Sequence, residues 1–305
     1  MNDYRYTLEP YAGKDSRYTC PACKKPHEFS RYIDLITGEY LGDNVGKCNR
    51  IDKCGFHYTP KQFFNDNEII PEPIPAIAKA QKQMPRPVSY INKETFIKSL
   101  QGHDKNNLVK FLHTLFDNET VSLLINLYKI GTSTRWNGGT SIFWQIDQND
   151  NIRTGKLIKY DAVTGKRLKL MNWVHSVLKI ENFNLKQCLF GEHILKAAPG
   201  TTVGIVESEK TAIIASAFFP DLIWLATGGA ENLNEEKVKS LKDRNVILFP
   251  DASKDGVIFN KWKAKGDQLG FAVSDYLEKY ASIDQKNNGV DIADFLINEK
   301  LGLTI

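Results

Sequence analysis

Four of the five cysteines lie within the first sixty residues, in a pattern that suits a metal ion. Cys20 and Cys23 form a C-x2-C pair, a spacing at which two thiolates reach one tetrahedral ion without strain. Cys48 and Cys54 form a second, wider pair. In a cytosolic chain such a cluster indicates a metal more often than disulfides, although four unrelated buried cysteines are the alternative. Four protein ligands leave no open position, so the pattern predicts a structural Zn²⁺.

Two histidines compete for a place in this site. His57 follows Cys54 by three residues and could replace Cys48 or Cys54, and His27 is a weaker candidate. A segment this short buries too little apolar surface to fold alone, so the metal would supply much of its folding free energy. Cys188 has no neighbouring cysteine and is expected to be a packing residue.

Acidic residues follow strand-like segments in the second half of the chain. TVGIVE ends in Glu207, NVILFPD ends in Asp251, and GVDIADFL supplies Asp291 and Asp294. Because the carboxyl ends of parallel strands meet at one edge of an open sheet, Glu207 and Asp251 are expected to converge there. Such carboxylates repel each other unless a cation is bound, and their oxygens suit Mg²⁺ or Mn²⁺.

Helix capping is the competing interpretation of these acids. Asp251 or Ser253 could cap a helix that begins near Gly256, and Asp291 could cap the helix of DFLINEK.

Basic residues interleave with aromatic ones in the β-like runs before this region. Alternation puts Arg167 and Lys169 on one face of a strand, where they could bind phosphates. Trp144, Tyr160 and Trp173 could stack on bases, although a solvated face with core aromatics is the alternative. The candidate residues for binding nucleic acid or nucleotide are Arg153, Lys156, Lys159, Arg167, Lys169 and Lys210.

The elements that would position these groups follow from hydrophobic periodicity. TPKQFFND predicts a helix with Thr59 as N-cap, and residues 93–128 predict helices, one of them capped by Asn118. The runs TSIFWQID, IRTGKLIKYD and KRLKLMNWV predict strands joined by turns. From residue 202 onward, strands alternate with helices, including a helix in ENLNEEKVKSLKD, which implies a parallel sheet.

Composition sets the wider limits. The chain has 305 residues and a net charge of +4, so global charge says little about partners. The polar N-terminus and the lack of a long apolar run predict a cytoplasmic protein. The predicted domains are a zinc-binding module at 1–70, a proline-rich linker at 71–90, a helical and basic β-rich subdomain at 91–200, and an α/β domain at 201–305.

Three segments resemble the Toprim domain of primases, topoisomerases and related nucleases. They are IVESEKTAIIAS, ATGGAENL and VILFPDASKDG. The resemblance implies that Glu207 is a general acid/base and that Asp251 is the first acid of the D-x-D pair, with Asp291 as a further Mg²⁺ ligand. The chain departs from the family pattern at Ser208, Thr211 and Ser253, and Asp255 could replace the acid missing at 253.

More of the chain resembles the primase version of this domain. CLFGEHILKAAPG is similar to the segment upstream of the primase Toprim domain, and SIFWQIDQNDNIRTGKLIKYDAVTGKR is similar to a primase segment beside template and nucleotide. The whole chain looks like small primase-like proteins of bacterial mobile elements. The implied fold is α/β, a Toprim-like parallel sheet with flanking helices, preceded by a mixed α+β subdomain and the zinc module.

The resemblance implies a nucleotidyltransferase that makes primers on single-stranded DNA from nucleoside triphosphates. A separate replicative helicase is a further candidate partner. The alternatives are a Toprim-type nuclease and a non-catalytic zinc-finger accessory protein that binds DNA.

Overall fold

The structure is a computed structural model that describes residues 5–50, 53–70, 87–229 and 232–301. The chain divides into two compact units, Met1–Pro85 and Arg86–Ile305. Most of the predicted linker lies outside the described residues, and the predicted boundary near residue 200 falls inside the second unit and stays a prediction. None of the described helices has the length and apolar composition that crossing a bilayer requires.

An antiparallel sheet is the frame of the first unit. Its strands, in spatial order, are β1 (Tyr6–Leu8), β2 (Phe29–Asp34), β3 (Gly46–Cys48) and β4 (His57–Tyr58). Its buried hydrophobic cluster contains Cys20, Phe29 and Cys48, with Tyr18 and Phe56 packed against it. A core this small leaves much of the stability of the unit to other interactions, which a bound metal can supply.

Helix α1 (Pro60–Asp66) follows the sheet. The Thr59 hydroxyl accepts from the Gln62 N–H, and the Gln62 side chain accepts from the Thr59 N–H at 2.9 Å. This reciprocal capping box confirms Thr59 as the N-cap, and Pro60 is the first helical residue.

Three helices open the second unit, as the sequence predicted: α2 (Lys93–Ser99), α3 (Asn107–Leu115) and α4 (Asn118–Tyr128). The predicted cap of α4 was wrong by one residue. Asp117, not Asn118, caps the helix, since its Oδ1 accepts from the Thr120 N–H at 2.7 Å.

A second antiparallel sheet follows these helices. Its strands, in spatial order, are β5 (Gly131–Ser133), β6 (Thr140–Ile146), β7 (Ile152–Tyr160) and β8 (Arg167–Trp173). The three predicted strands correspond to β6, β7 and β8, and the short helix α5 (Val174–Val177) comes next. Side chains two apart on a strand share a face, so Lys156, Ile158 and Tyr160 of β7 all point to the same side.

The last sheet is parallel throughout. Its strands, in spatial order, are β10 (Ile223–Ala226), β9 (Val203–Val206), β11 (Val246–Leu248) and β12 (Ala272–Val273). Strands β9 and β10 are buried along their whole length, as expected for a parallel sheet covered on both faces. The accompanying helices are α6 (Glu209–Phe218), α7 (Val257–Leu269), α8 (Tyr276–Tyr280), α9 (Ile283–Asn288) and α10 (Ile292–Leu301).

The helix predicted for residues 231–243 was wrong. Within the described residues 232–243 the chain forms turns and a short 3₁₀ helix at Lys239–Leu241. The side chain of Asn234 accepts from the Lys237 N–H at 3.0 Å, a local bond that competes with helix formation. Val238 and Leu241 are nevertheless buried in the core. The apolar residues are thus buried from a turn conformation, although their spacing is that of a helix.

Candidate functional site

The four clustered cysteines converge on one point in the first unit. Their Sγ atoms lie within 4.8 Å of one another, with Cys20 3.8 Å from Cys54 and Cys23 4.0 Å from Cys48. A tetrahedron with Zn–S bonds of about 2.3 Å has edges of about 3.8 Å. The cysteine geometry therefore fits a zinc ion held by four thiolates.

The histidines proposed as alternative ligands lie outside this cluster. The His57 ring stacks on Tyr32, and its Nε2 is 2.9 Å from the Tyr32 hydroxyl. His27 Nδ1 lies 3.1 Å from the Lys14 carbonyl.

The cysteine thiols differ in acidity. Burial raises the pKa of Cys48 to about 12, whereas a backbone hydrogen bond from Lys25 lowers the pKa of Cys23 to about 7. Because zinc binds thiolates, loading the site has to displace the Cys48 proton.

The acids of the second unit gather at the carboxyl edge of the parallel sheet. Glu207 follows β9 directly, Asp251 follows β11, and Asp291 stands just before α10. Burial, together with the charges of Asp291, Glu207 and Asp294, raises the pKa of Asp251 to about 8. Burial, then the charge of Asp294, also raises the pKa of Asp291. These carboxyl groups are therefore close enough to oppose one another's ionisation, the situation that a shared cation relieves.

Two of the predicted capping roles occur at the same edge. The Asp291 Oδ1 accepts from the Asp294 N–H at 2.8 Å, at the start of α10. The Ser253 hydroxyl accepts from the Ile258 N–H at 2.8 Å, in the first turn of α7. Both residues hold helix starts, so helix capping and the acidic cluster are not exclusive interpretations.

The predicted role of Asp255 as an Mg²⁺ ligand stays a prediction. Asp255 is exposed, has a φ of 57°, and is not among the acids that raise the pKa of Asp251. Asp294 is among those acids, and it is joined to Lys210 at 3.3 Å. The charge of Asp294, and not that of Asp255, therefore acts on Asp251 together with the charges of Glu207 and Asp291.

A cleft of about 250 Å³ joins the acidic edge to the antiparallel sheet. The lining residues come from both sheets and from the start of α6: Lys156, Ile158, Tyr160, Arg167, Glu207, Ser208, Glu209, Lys210, Gly228, Gly229 and Asp291. Three cations and three acids therefore face one small space. Such a mixture can hold a metal ion together with phosphate groups.

A buried ion pair, which the sequence analysis missed, crosses this cleft. The Lys156 ammonium lies 3.1 and 3.2 Å from the two Glu209 carboxylate oxygens, and it also donates to the Gly228 carbonyl at 2.9 Å. The side chains are only 8% and 3% exposed. Lys237 lies in the same region, where burial lowers its pKa to about 8. Because Lys156 and Glu209 are 53 positions apart in sequence, the sequence held no local signal for this pair.

The other predicted basic residues divide into two groups. Arg167 and Lys210 line the cleft with Lys156. Arg153 instead pairs with Asp147 at 2.7 Å, Lys159 donates to the Trp136 carbonyl at 2.5 Å, and Lys169 is exposed on β8. The aromatic residues divide as well, since Tyr160 lines the cleft whereas Trp144 is fully buried in the core.

The acidic group is less compact than the cysteine cluster. Among the described residues, only the four cysteines place three or more candidate ligand atoms within 4.8 Å of one another. The carboxylate oxygens nevertheless suit Mg²⁺, which is commonly bound through one or two carboxylates, several waters and substrate phosphates. Glu207 lines the cleft, and its charge acts on the buried Asp251, so these two carboxyl groups fit an ion that is completed by its substrate.

Two family models match the chain. Residues 4–69 match a zinc beta-ribbon finger, and residues 106–252 match a domain of unknown function, DUF6371. The zinc-ribbon match and the four-cysteine cluster together support a structural zinc ion in the first unit. A search of curated proteins found no match.

Solved structures of primases resemble the chain at low sequence identity. The primase fragment of the bacteriophage T7 primase-helicase protein is 12% identical, with 93% of this chain and 95% of that chain covered and a TM-score of 0.45. The E. coli primase catalytic core is 11% identical, with 70% and 83% covered and a TM-score of 0.41. The DnaG primase catalytic domain bound to ssDNA is 13% identical, with 68% and 81% covered and a TM-score of 0.39.

Proposed function

We propose that the chain is a primase-like nucleotidyltransferase that makes primers on single-stranded DNA, with residues 201–305 as a Toprim-like domain. The observation that carries the proposal is the shared cleft, in which Glu207 and Asp291 face Lys156 and Arg167. Acids that hold a divalent cation, beside cations that hold phosphates, are the groups that nucleotidyl transfer requires.

The residues would divide the work as follows. Glu207 and Asp251 would hold Mg²⁺ or Mn²⁺, which supplies positive charge for the phosphates of an incoming nucleotide. Arg167 extends into the cleft without the buried pairing that engages Lys156, so it is the side chain best placed to meet those phosphates. Glu207, as the family resemblance implies, would accept the proton of the attacking hydroxyl. The zinc module would hold the single-stranded template.

Primer synthesis on single-stranded DNA tests this proposal. The full chain is incubated with labelled nucleoside triphosphates and with Mg²⁺ or Mn²⁺, and Glu207→Gln is compared with the same substitution at the exposed Glu181. We expect labelled oligonucleotides from the wild type and from Glu181→Gln, and none from Glu207→Gln. A wild-type chain that makes no product across varied templates and both metals would overturn the proposal.

A non-catalytic DNA-binding accessory role is the second candidate, and one observation favours it. Ser253, at the position of the second acid of the family's D-x-D pair, is engaged in capping α7, so that ligand is absent. Metal titration by calorimetry separates the two roles. DNA binding without any binding of Mg²⁺ or Mn²⁺ would support the accessory role. In a separate assay, nicking of DNA without nucleotides would support a nuclease.

The biological setting is part of the same proposal. Primers of this kind would serve the replication of a mobile element, together with a separate helicase that opens the duplex. The division at about residue 200 would then separate the basic subdomain at 91–200 from the acidic one.

A further inference from the structure

Three hydrogen-bond donors bind the backbone carbonyl groups of the turn that follows β10. The Lys237 ammonium donates to the Thr227 carbonyl at 2.8 Å, and the Lys156 ammonium donates to the Gly228 carbonyl at 2.9 Å. The Thr227 hydroxyl donates to the Gly229 carbonyl at 3.0 Å. Three successive carbonyl oxygens are therefore engaged, two of them by charged groups, which make the stronger bonds.

The two lysines that hold this turn are themselves buried. Lys156 and Lys237 are each 6% exposed, and lysines are almost never this buried unless their ammonium groups are paired. Glu209 pairs with Lys156 through both carboxylate oxygens. Two buried ammonium groups therefore bind the carbonyls of one short turn. Removing these charges from water costs free energy, so a role for them is expected.

The hydrogen-bonded carbonyl groups determine the direction in which the N–H groups of the turn point. A trans peptide is planar, so its N–H points opposite to its C=O. The Gly228 N–H, opposite the Thr227 carbonyl, donates to the Glu207 carbonyl at 2.9 Å and so fixes the turn beside that acid. The Gly229 N–H, opposite the Gly228 carbonyl, has no acceptor within the described part of the chain. An ammonium group on the carbonyl polarises the peptide and makes this N–H a stronger donor.

The cleft suits an anion at this position. Both glycines line it, and Gly228 has a φ of +76° with a Cβ position only 3.1 Å from Glu209 Oε1, so that a side chain there would be strained. Without side chains, the backbone is open to close approach by a ligand. Ser208, the N-cap of α6, makes no side-chain cap and lines the same cleft, so the first turn of that helix adds further donors.

We propose that the Gly228–Gly229 peptide binds a phosphate of the nucleoside triphosphate, and that Lys156 and Lys237 are positioning residues that orient and polarise this peptide. The inference rests on the proposed function, because the nucleotide is the source of the phosphate. The two buried lysines would act on the ligand through the peptide that they hold, so they need not contact the ligand themselves.

The first test follows the Gly229 amide in the wild-type chain by NMR with ¹⁵N-glycine labelling. Inorganic tripolyphosphate with Mg²⁺ is the probe. We expect the Gly229 amide proton to shift downfield on addition of tripolyphosphate, as it gains a charged acceptor. Binding of tripolyphosphate without a shift of the Gly229 amide would overturn the inference, and so would a wild-type chain that binds no tripolyphosphate.

The second test replaces Lys237, which is not among the residues that line the cleft. By calorimetry, Lys237→Met is expected to bind tripolyphosphate roughly tenfold more weakly, as for the loss of one charge-assisted hydrogen bond. Its affinity for Mg²⁺ alone is expected to stay unchanged. Lys300→Met is the matched control, because the Lys300 ammonium also donates to a main-chain carbonyl, that of Leu115, at 2.9 Å. Equal affinity in Lys237→Met and Lys300→Met would contradict the positioning role.

The outcomes separate this inference from the proposed function. If Lys237→Met does not fold, the wild-type amide shift decides alone. A chain that binds tripolyphosphate at Gly229 but makes no primers would count against the proposed function only. A chain that makes primers while its Gly229 amide stays unchanged would count against the inference only.

Discussion

The Thr211 hydroxyl donates to the Asp291 Oδ2 at 2.5 Å, across 80 positions of sequence. Thr211 stands where the family pattern has an acid, and it is fully buried. In place of a further carboxylate, the chain therefore has a donor that favours the ionised form of Asp291.

Replacing Thr211 with the isosteric Val removes this donor. We expect Thr211→Val to raise the pKa of Asp291 further and to lower the free energy of unfolding by about 1–3 kcal/mol, because a buried carboxyl group loses its partner. Urea unfolding at neutral pH measures the change. Thr114→Val is the control, since Thr114 also donates a hydroxyl hydrogen bond, to the Phe111 carbonyl, but lies outside the cleft. Equal losses of unfolding free energy in the two variants would show that the hydrogen bond to Asp291 stabilises the chain no more than that of Thr114.

Mg²⁺ affinity is expected to depend on pH through Asp251. The pKa of this carboxyl group is raised to about 8, so below that pH a metal ion has to displace a proton. Affinity should therefore rise by up to about tenfold per pH unit toward pH 8 and then level off. Calorimetry at several pH values measures this, with Asp251→Asn expected to show a shallower dependence, because the pKa of Asp291 is also raised. Asp255→Asn should behave as wild type, and a loss of binding in that variant would restore Asp255 as a ligand.

The same carboxyl group links pH to the stability of the metal-free chain. At pH values between its ordinary pKa of 3.8 and its raised value of about 8, Asp251 is ionised in the unfolded chain and protonated in the folded one. The contribution of Asp251 is therefore fully present below about pH 4 and is lost as the pH rises through 8. Unfolding of wild type and Asp251→Asn across this interval isolates it. A difference between the two chains that does not change with pH would contradict the assignment.

Zinc content should distinguish the fourth ligand. Cys48→Ser is expected to lose the bound ion and the cooperative melting of the first unit, because Cys48 Sγ belongs to the four-sulfur cluster. His57→Ala should keep one zinc ion per chain, since its ring pairs with Tyr32 instead. Metal analysis of the purified chains measures both. One zinc ion in Cys48→Ser and none in His57→Ala would reverse the assignment.

The Lys156–Glu209 pair should be sensitive to the loss of one partner only. Lys156→Met leaves the Glu209 carboxylate buried without its counter-ion, which is expected to cost about 3–5 kcal/mol of unfolding free energy. Adding Glu209→Gln should recover part of that loss, because the amide carries no charge. The four chains form a double-mutant cycle. Additive losses would show that the two groups do not depend on each other.

Periodicity predicted the elements whose side chains alternate or repeat regularly. Strands β6 and β7 and helices α3 and α4 were found because each lies almost wholly in the core or buries one face. The pattern failed at residues 231–243, where the Asn234 side chain binds the Lys237 backbone and the chain turns. A side-chain bond of this kind leaves no trace in hydrophobic spacing.

The sequence predicted which acids to consider for the site, but it did not predict the contacts of the buried lysines. Glu207 and Asp251 were expected to converge because they follow buried strands, and the charge of Glu207 acts on Asp251, whereas their role as Mg²⁺ ligands stays a prediction. The contacts of Lys156 with Glu209 and of Lys237 with the Thr227 carbonyl depend on how separate parts of the chain meet. Sequence spacing holds no information on those contacts, whereas the two cysteine pairs were close enough in sequence to be recognised directly.

Asp291 serves the last helix and the acidic cluster with the same carboxylate. Its Oδ1 holds the Asp294 N–H at the start of α10, while its Oδ2 accepts from Thr211. An ion drawn to Asp291 would compete with the capping bond, and the amide hydrogens at the start of α10 would then exchange with solvent at a different rate. Hydrogen exchange in the C-terminal helix is thus a remote reporter of occupancy at the cleft.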